Sequence, residues 1–124
     1  MNSTVHTLPR NERLRSKKKI ARLFDRNSGG NRVIPAYPYR VVLYPEPDMP
    51  AGFPEILVSV PKRNFKKAVQ RNRIKRLTRE AYRLQKTACS TKMCIAFLYV
   101  GKEVPEYSEV ERAIGQVLDK LGRL

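Results

Sequence analysis

Residues 58–83 read VSVPKRNFKKAVQRNRIKRLTREAYR, and the character of the chain changes twice within them. Val58 and Val60 close the apolar run EILVSV, which reads as a strand over roughly 55–60 and stops at Pro61. From Ala68 onward the spacing is helical. At 100° per residue Ile74, Leu77, Ala81, Leu84 and Ala88 gather on one side, with Arg71, Lys75, Arg76, Arg79, Arg83 and Lys86 largely opposite and Asn72 among them. The apolar side is built to cover a sheet, while the basic side chains lay their aliphatic stems on the surface and project their charges outward.

Moving outward, Tyr39–Tyr44 (YRVVLY) has the β-branched and aromatic content of another strand, and Pro45 ends it. PEPDMPAGFP, 45–54, is a loop because of its prolines, and its length suits antiparallel pairing of the two flanking strands. KMCIAFLYVG, 92–101, holds a continuous apolar run and is expected as a third, largely buried strand. Near the N-terminus Ser16 stands as an N-cap for SKKKIARLFDR, where Ile20, Leu23 and Phe24 share a face; NSGGN stops that helix. At the other end Ser108 and Glu111 have capping-box spacing, Val110, Ile114, Val117, Leu118 and Leu121 form an inward stripe, Gly115 permits close packing and Gly122 marks the stop. The order is α-β-β-α-β-α, an α+β sandwich in which helices cover a small sheet. Residues 1–15 are expected as a flexible N-terminal extension and 16–124 as a single α/β domain.

Charge then restricts the partner. The chain of 124 residues has 26 Lys and Arg against 11 Asp and Glu, a formal charge of +15. The excess lies in two blocks: nine basic and two acidic residues within 10–32, and eleven basic and one acidic within 62–86. Such blocks favour a polyanion, with binding driven by counterion release and weakened by salt. Arginine's planar fork suits directed phosphate contacts, and Asn72 adds a donor and an acceptor between two arginines. Glu80, the one acid in the second block, is spaced to pair with Arg76 or Arg83 along the helix. Arg73 falls near the apolar edge of the helix, placed to brace its terminus or to reach across a junction.

Other classes find little support. No apolar run spans a membrane and the first 20 residues lack a signal core, so a cytoplasmic location is expected. Cys89 and Cys94 form neither a CxxC pair nor a zinc signature and are expected as reduced packing residues, and His6 has no catalytic neighbour in sequence. Phosphate-binding loops, dinucleotide fingerprints and nucleophile elbows are missing. No catalytic residue and no protein-held metal is expected.

The ordered run in 58–83 resembles the central signature of the bacterial ribonuclease P protein subunit. It carries an arginine-asparagine-arginine core (Arg71, Asn72, Arg73), then Lys75 and Arg76, then Arg79 and Glu80. The likeness extends more weakly over about 12–121. It implies a left-handed β-α-β crossover and a protein that joins a catalytic RNA to remove the 5′ leader of precursor transfer RNA. The RNA, with Mg2+ held mainly by itself, would do the hydrolysis. The resemblance also implies a face for RNA made by Lys62, Arg63, Lys66, Lys67, Arg71, Asn72, Arg73, Lys75, Arg76, Arg79 and Arg83. A leader-binding cleft would lie between the first helix and the sheet, with Ile20, Phe24, Tyr39 and Tyr44 as its residues. Ile20 stands where many relatives have an aromatic, and the NFKK turn lacks their glycine. Precursor transfer RNA and the catalytic RNA are the expected partners, without an obligate protein partner or a membrane. Other readings are a ribosomal or assembly protein that binds structured RNA, a duplex-DNA module, and, weaker, a protein-only nuclease.

Overall fold

The helix and strand patterns meet in one sheet, seen in a computed structural model that describes residues 13–25, 31–46, 54–86 and 92–122. The elements are α1 (Lys17–Leu23), β1 (Arg32–Ala36), β2 (Tyr39–Pro45), β3 (Glu55–Ser59), α2 (Ala68–Gln85), β4 (Met93–Tyr99) and α3 (Tyr107–Leu121). The strands lie in the order β1-β2-β4-β3. β1 and β2 are antiparallel, as are β2 and β4, whereas β3 runs parallel to β4. The β3-α2-β4 segment is therefore a β-α-β unit, with the basic helix as its crossover.

Two of these features correct the sequence reading. A fourth strand, β1, precedes the expected three: Pro35 and Pro38 disguise it, yet Pro35 is tolerated on the sheet edge, where no neighbour needs its missing N–H. Tyr37 and Pro38 form the two-residue turn, joined by a cis peptide bond, and Ala36 pairs with Tyr39. The strand at 55–59 does not pair antiparallel with β2. β1 and β4 occupy both edges of β2, which leaves β3 to add beside β4.

Alternation along the strands sorts the side chains onto two faces. One face presents Ile34, Tyr39, Val41, Leu43, Ile56, Ile95, Phe97 and Tyr99 to α2 and α3. The α3 stripe of Val110, Ile114, Val117, Leu118 and Leu121 is fully buried there. Gly115 sits where an added Cβ would lie 2.8 Å from the Gln85 Oε1, and Gln85 Nε2 donates to the Glu111 carbonyl, so α2 and α3 approach closely. The opposite face presents Val42, Tyr44, Cys94 and Ala96 to Leu14, Leu23 and Ile20, beneath the short α1.

Three local expectations shift. The buried side of α2 is Ile74, Thr78, Ala81 and Tyr82, while Leu84 is 44% exposed and Lys86 fully buried. The helix is rotated so that Thr78 can enter the core, its hydroxyl donating to the Ile74 carbonyl as its proton's local partner. The α3 capping box uses Glu106 and Glu109 rather than Ser108 and Glu111, because the helix begins two residues earlier than the Ser108 cap implies. Ser16 caps α1 as expected, accepting from the Lys19 N–H. Cys94 is a free, buried thiol; Ala88 and Cys89 lie outside the described residues. No helix is long and apolar enough to cross a membrane among the described residues.

Candidate nucleic-acid interface

The cationic surface is built from the turn before α2 and from the outer side of that helix. Lys62, Arg63, Lys66 and Lys67 are exposed in the turn, and Asn72, Arg73 and Arg76 are exposed on the helix. Lys75, Arg79 and Arg83 are half-buried, as expected where long stems lie against the protein. Arg71 is turned inward. Its Nη1 donates to the carbonyls of Phe65 (2.7 Å) and Lys66 (3.0 Å), so Arg71, not Arg73, braces the helix entry. These bonds stand in for a cap, since the Lys67 side chain makes no capping hydrogen bond. Arg73 points to solvent.

Along the middle of α2 runs an open groove of about 730 Å³ lined by Arg13, Asn72, Lys75, Arg76, Leu77, Arg79, Glu80 and Arg83. Glu80 is paired with Arg83 at 2.6 Å, which resolves the choice between Arg76 and Arg83. The other cations of the groove make no ion pair with a carboxylate among the described residues. Burial, and then the charge of Arg13, pull the pKa of the Arg79 guanidinium down from its ordinary value.

The second surface is the α1 side of the sheet. Seven residues make a helix of only about 10 Å, which covers one end of that face. Arg22 holds its guanidinium 4.4 Å above the Tyr44 ring, and Lys19 reaches Glu55 at 3.3 Å. Both contacts tie α1 to the end of the sheet where Tyr44, Cys94 and Glu55 are paired in register. Among the described residues the rest of the face is open. There Leu23, Phe24, Asp25, Asn31, Val33, Arg40, Val42 and Leu98 line a recess of about 480 Å³. Phe24 is 49% exposed and Val33 47%, so an aromatic and an aliphatic surface border a recess that also holds a guanidinium, Arg40. The Asn31 amide donates to the Arg22 and Leu23 carbonyls, closing the last turn of α1 so that Phe24 is held at the rim.

Of the four expected cleft residues, the structure brings Ile20 and Phe24 to this face, with Ile20 packed inward. Tyr44 lies on the same face but is fully buried beneath Arg22 and is not open to a stacked base. Tyr39 does not belong to the cleft. It is five residues before Tyr44, so strand alternation puts it on the opposite face, where its hydroxyl bonds Thr78 and its ring meets Phe97 and Tyr99 edge-on. Burial pushes the Tyr39 hydroxyl up to about 12, with the Thr78 bond opposing the shift. Tyr44 is pushed up too, by burial first and then by its bond to Cys94.

Sequence reasoning missed Arg40, Val33, Val42 and Leu98 in the recess and Arg13 in the groove. Strand alternation carried a signal for Arg40, since a charged residue inside YRVVLY must face the less covered side. Nothing in the sequence placed Arg13 against α2. Its position depends on residues 13 and 14 docking on the free edge of β3, where the Leu14 N–H donates to the Ile56 carbonyl at 2.7 Å.

Comparison with known proteins adds three results. A profile of the ribonuclease P family matches residues 8–122. The ribonuclease P protein component of Porphyromonas gingivalis is 37% identical over 121 residues, covering 92% of this chain and 85% of that protein. The component from Chlorobaculum tepidum is 30% identical over 132 residues, covering 94% and 84%. Among solved structures, the RNase P protein of Staphylococcus aureus superposes with a TM-score of 0.72 at 18% identity, over 88% of this chain and 94% of that one. The Thermotoga maritima RNase P protein gives 0.70 at 21% identity, over 91% and 97%. At these identities the structural likeness establishes the fold.

Proposed function

The chain belongs to the ribonuclease P protein family, and on that premise we propose that it is the protein subunit of a cytoplasmic ribonucleoprotein that removes the 5′ leader of precursor transfer RNA. In this reading the α2 surface, from Lys62 to Arg83, faces the catalytic RNA and the adjoining substrate. The open half of the α1-side sheet face receives the unpaired leader. Phe24 offers a ring on which a base can stack, Val33, Val42 and Leu98 supply apolar contact, and Arg40 reaches a leader phosphate.

The observation that carries the proposal is the set of uncompensated cations on α2 within a chain whose family match spans 8–122. A surface for solubility alone would mix both signs. Among the described residues the only carboxylate in the groove, Glu80, is already paired with Arg83. The same chemistry supports metal ions held elsewhere. Mg2+ seeks oxygen ligands, and the groove offers guanidinium and ammonium groups, so the ions that activate water and stabilise the departing oxygen would be held mainly by the RNA. The protein's residues would screen repulsion between two RNAs and hold the leader in line.

Reconstitution tests this. Protein, cognate catalytic RNA, precursor transfer RNA and Mg2+ are combined at fixed ionic strength, and cleavage is followed with and without each component. The protein should raise kcat/KM for precursor cleavage in the presence of the RNA and cleave nothing by itself. Cleavage by protein alone, or no gain on adding it, contradicts the proposal.

A further inference from the structure

Arg13 and Arg79 line one groove from different elements; among the described residues neither makes an ion pair with a carboxylate, and Glu80, which also lines the groove, is paired with Arg83. Like charges brought together in this way oppose folding unless a counter-charge joins them. The approach is set by backbone and packing. Leu14 is 3% exposed in the core beneath α1 and its N–H is bonded to Ile56, and alternation then sends the neighbouring Arg13 to the α2 side of the sheet. On that side Arg79 is half-buried, and this partial desolvation, then the charge of Arg13, disfavours its protonated form relative to a free arginine. Lys75 and Arg76 line the groove from the preceding turn of α2, together with Asn72, Leu77 and the paired Glu80 and Arg83.

We infer that Arg13 is the second wall of a phosphodiester-binding site whose first wall is Arg79 and Lys75 on α2, so that docking of the N-terminal segment on β3 and capture of an RNA phosphate are coupled. The proposal rests on the RNA-facing reading of α2 and deepens it by naming a residue outside the helix and a single ligand chemistry. Two guanidiniums from separate elements can take different oxygens of one phosphate. By linkage, a phosphate that bridges them stabilises the docked segment, and a docked segment raises affinity for the phosphate.

The experiment compares wild type, Arg13→Gln, Arg79→Gln and the double variant. Affinity for the cognate catalytic RNA is measured across a series of salt concentrations, and thermal stability is measured with and without pyrophosphate against an NaCl control of equal ionic strength. Each single change should weaken RNA binding about tenfold. Arg13→Gln should lower the slope of log K against log salt by about one. The double variant should lose less than the product of the single losses, because one phosphate is shared. Without any anion, Arg13→Gln should leave the protein as stable as wild type or raise Tm by about 2 °C through relieved repulsion, and should abolish most of the pyrophosphate stabilisation.

A merely structural Arg13 predicts the reverse, a lower Tm in the anion-free protein, and that result overturns the inference. So does RNA affinity within twofold of wild type for Arg13→Gln, or strictly multiplicative losses. If wild type fails to bind the RNA at all, the functional reading falls. The pyrophosphate arm still decides the site, because stabilisation that requires Arg13 supports it and stabilisation indifferent to Arg13 refutes it.

Discussion

Arg71→Gln should cost the free protein about 1–2 kcal/mol, although the residue belongs to a motif expected to serve RNA. Its Nη1 is shared between the Phe65 and Lys66 carbonyls at 2.7 and 3.0 Å. A hydrogen bond from a charged donor contributes roughly 1.5–3 kcal/mol when well desolvated. One of these bonds is only part-buried and the other exposed, so the lower end of the range applies to the pair together. Removing a positive charge from a crowded cationic helix returns a few tenths of a kcal/mol, which leaves the net loss stated. Urea unfolding in about 0.5 M NaCl, where screening acts within about 4–5 Å, separates the two effects. With an m-value of about 2 kcal/mol/M, within the range usual for small proteins, the midpoint should fall by roughly 0.5–1 M. Arg73→Gln, its solvent-facing neighbour two positions on, should move it by less than about 0.3 M. Equal midpoints for wild type and Arg71→Gln, or an equal loss for Arg73→Gln, would show that the inward turn of Arg71 does not brace α2.

Phe24→Ala should weaken holoenzyme binding of precursor transfer RNA by about 5- to 100-fold, the worth of one stacked base, and leave mature transfer RNA unaffected in a gel-shift or filter assay; equal losses on both would remove Phe24 from leader contact. Stability should fall at high pH through Tyr39. The Thr78 hydroxyl spends its proton on the Ile74 carbonyl, so Tyr39 must donate, and ionisation breaks that bond. Since its pKa is raised from 10.0 to about 12, the contribution is complete below pH 10 and is lost as pH climbs to 12, at about 1.4 kcal/mol per pH unit. Tyr39→Phe should flatten that limb of a stability curve, and an unchanged slope would contradict the assignment. Phe97→Ala, at the centre of the sheet, should cost about 3–5 kcal/mol by chemical denaturation; a loss under 1 kcal/mol would mean that the core under α2 and α3 is not packed as described.

How far residues foretold this molecule depended on whether the signal was local. The α2 segment was legible because a period of 3.6 and the residue order of the motif both lie within it, and α1 and its Ser16 cap for the same reason. The edge strand β1 was not, since Pro35 and Pro38 argue against a strand unless its edge position is known. The pairing of β3 was misjudged for a related reason: the loop after Pro45 allowed a hairpin, and only the competition of β1 and β4 for the edges of β2 excludes it. Tyr39 and Tyr44 look alike as aromatic ends of one strand. Their odd spacing settles that they face opposite ways, but which face is open depends on α1 being short and on α2 and α3 both packing on the other side. Arg13 was the least legible, because its role arises from an N-terminal segment adding to an edge that does not exist in sequence.

If the two faces of the molecule attend to two different RNAs, tethered cleavage will tell them apart. With Cys89 and Cys94 replaced, a single cysteine at Val33 on the α1 side, or at Val69 at the start of α2, carries an iron chelate that cuts nearby ribose. Both positions are exposed and uncharged. In the holoenzyme with bound precursor transfer RNA, the probe at position 33 should cut the leader and the probe at 69 the catalytic RNA. Leader cleavage from 69 but not from 33, or the same cuts from both, would contradict the division.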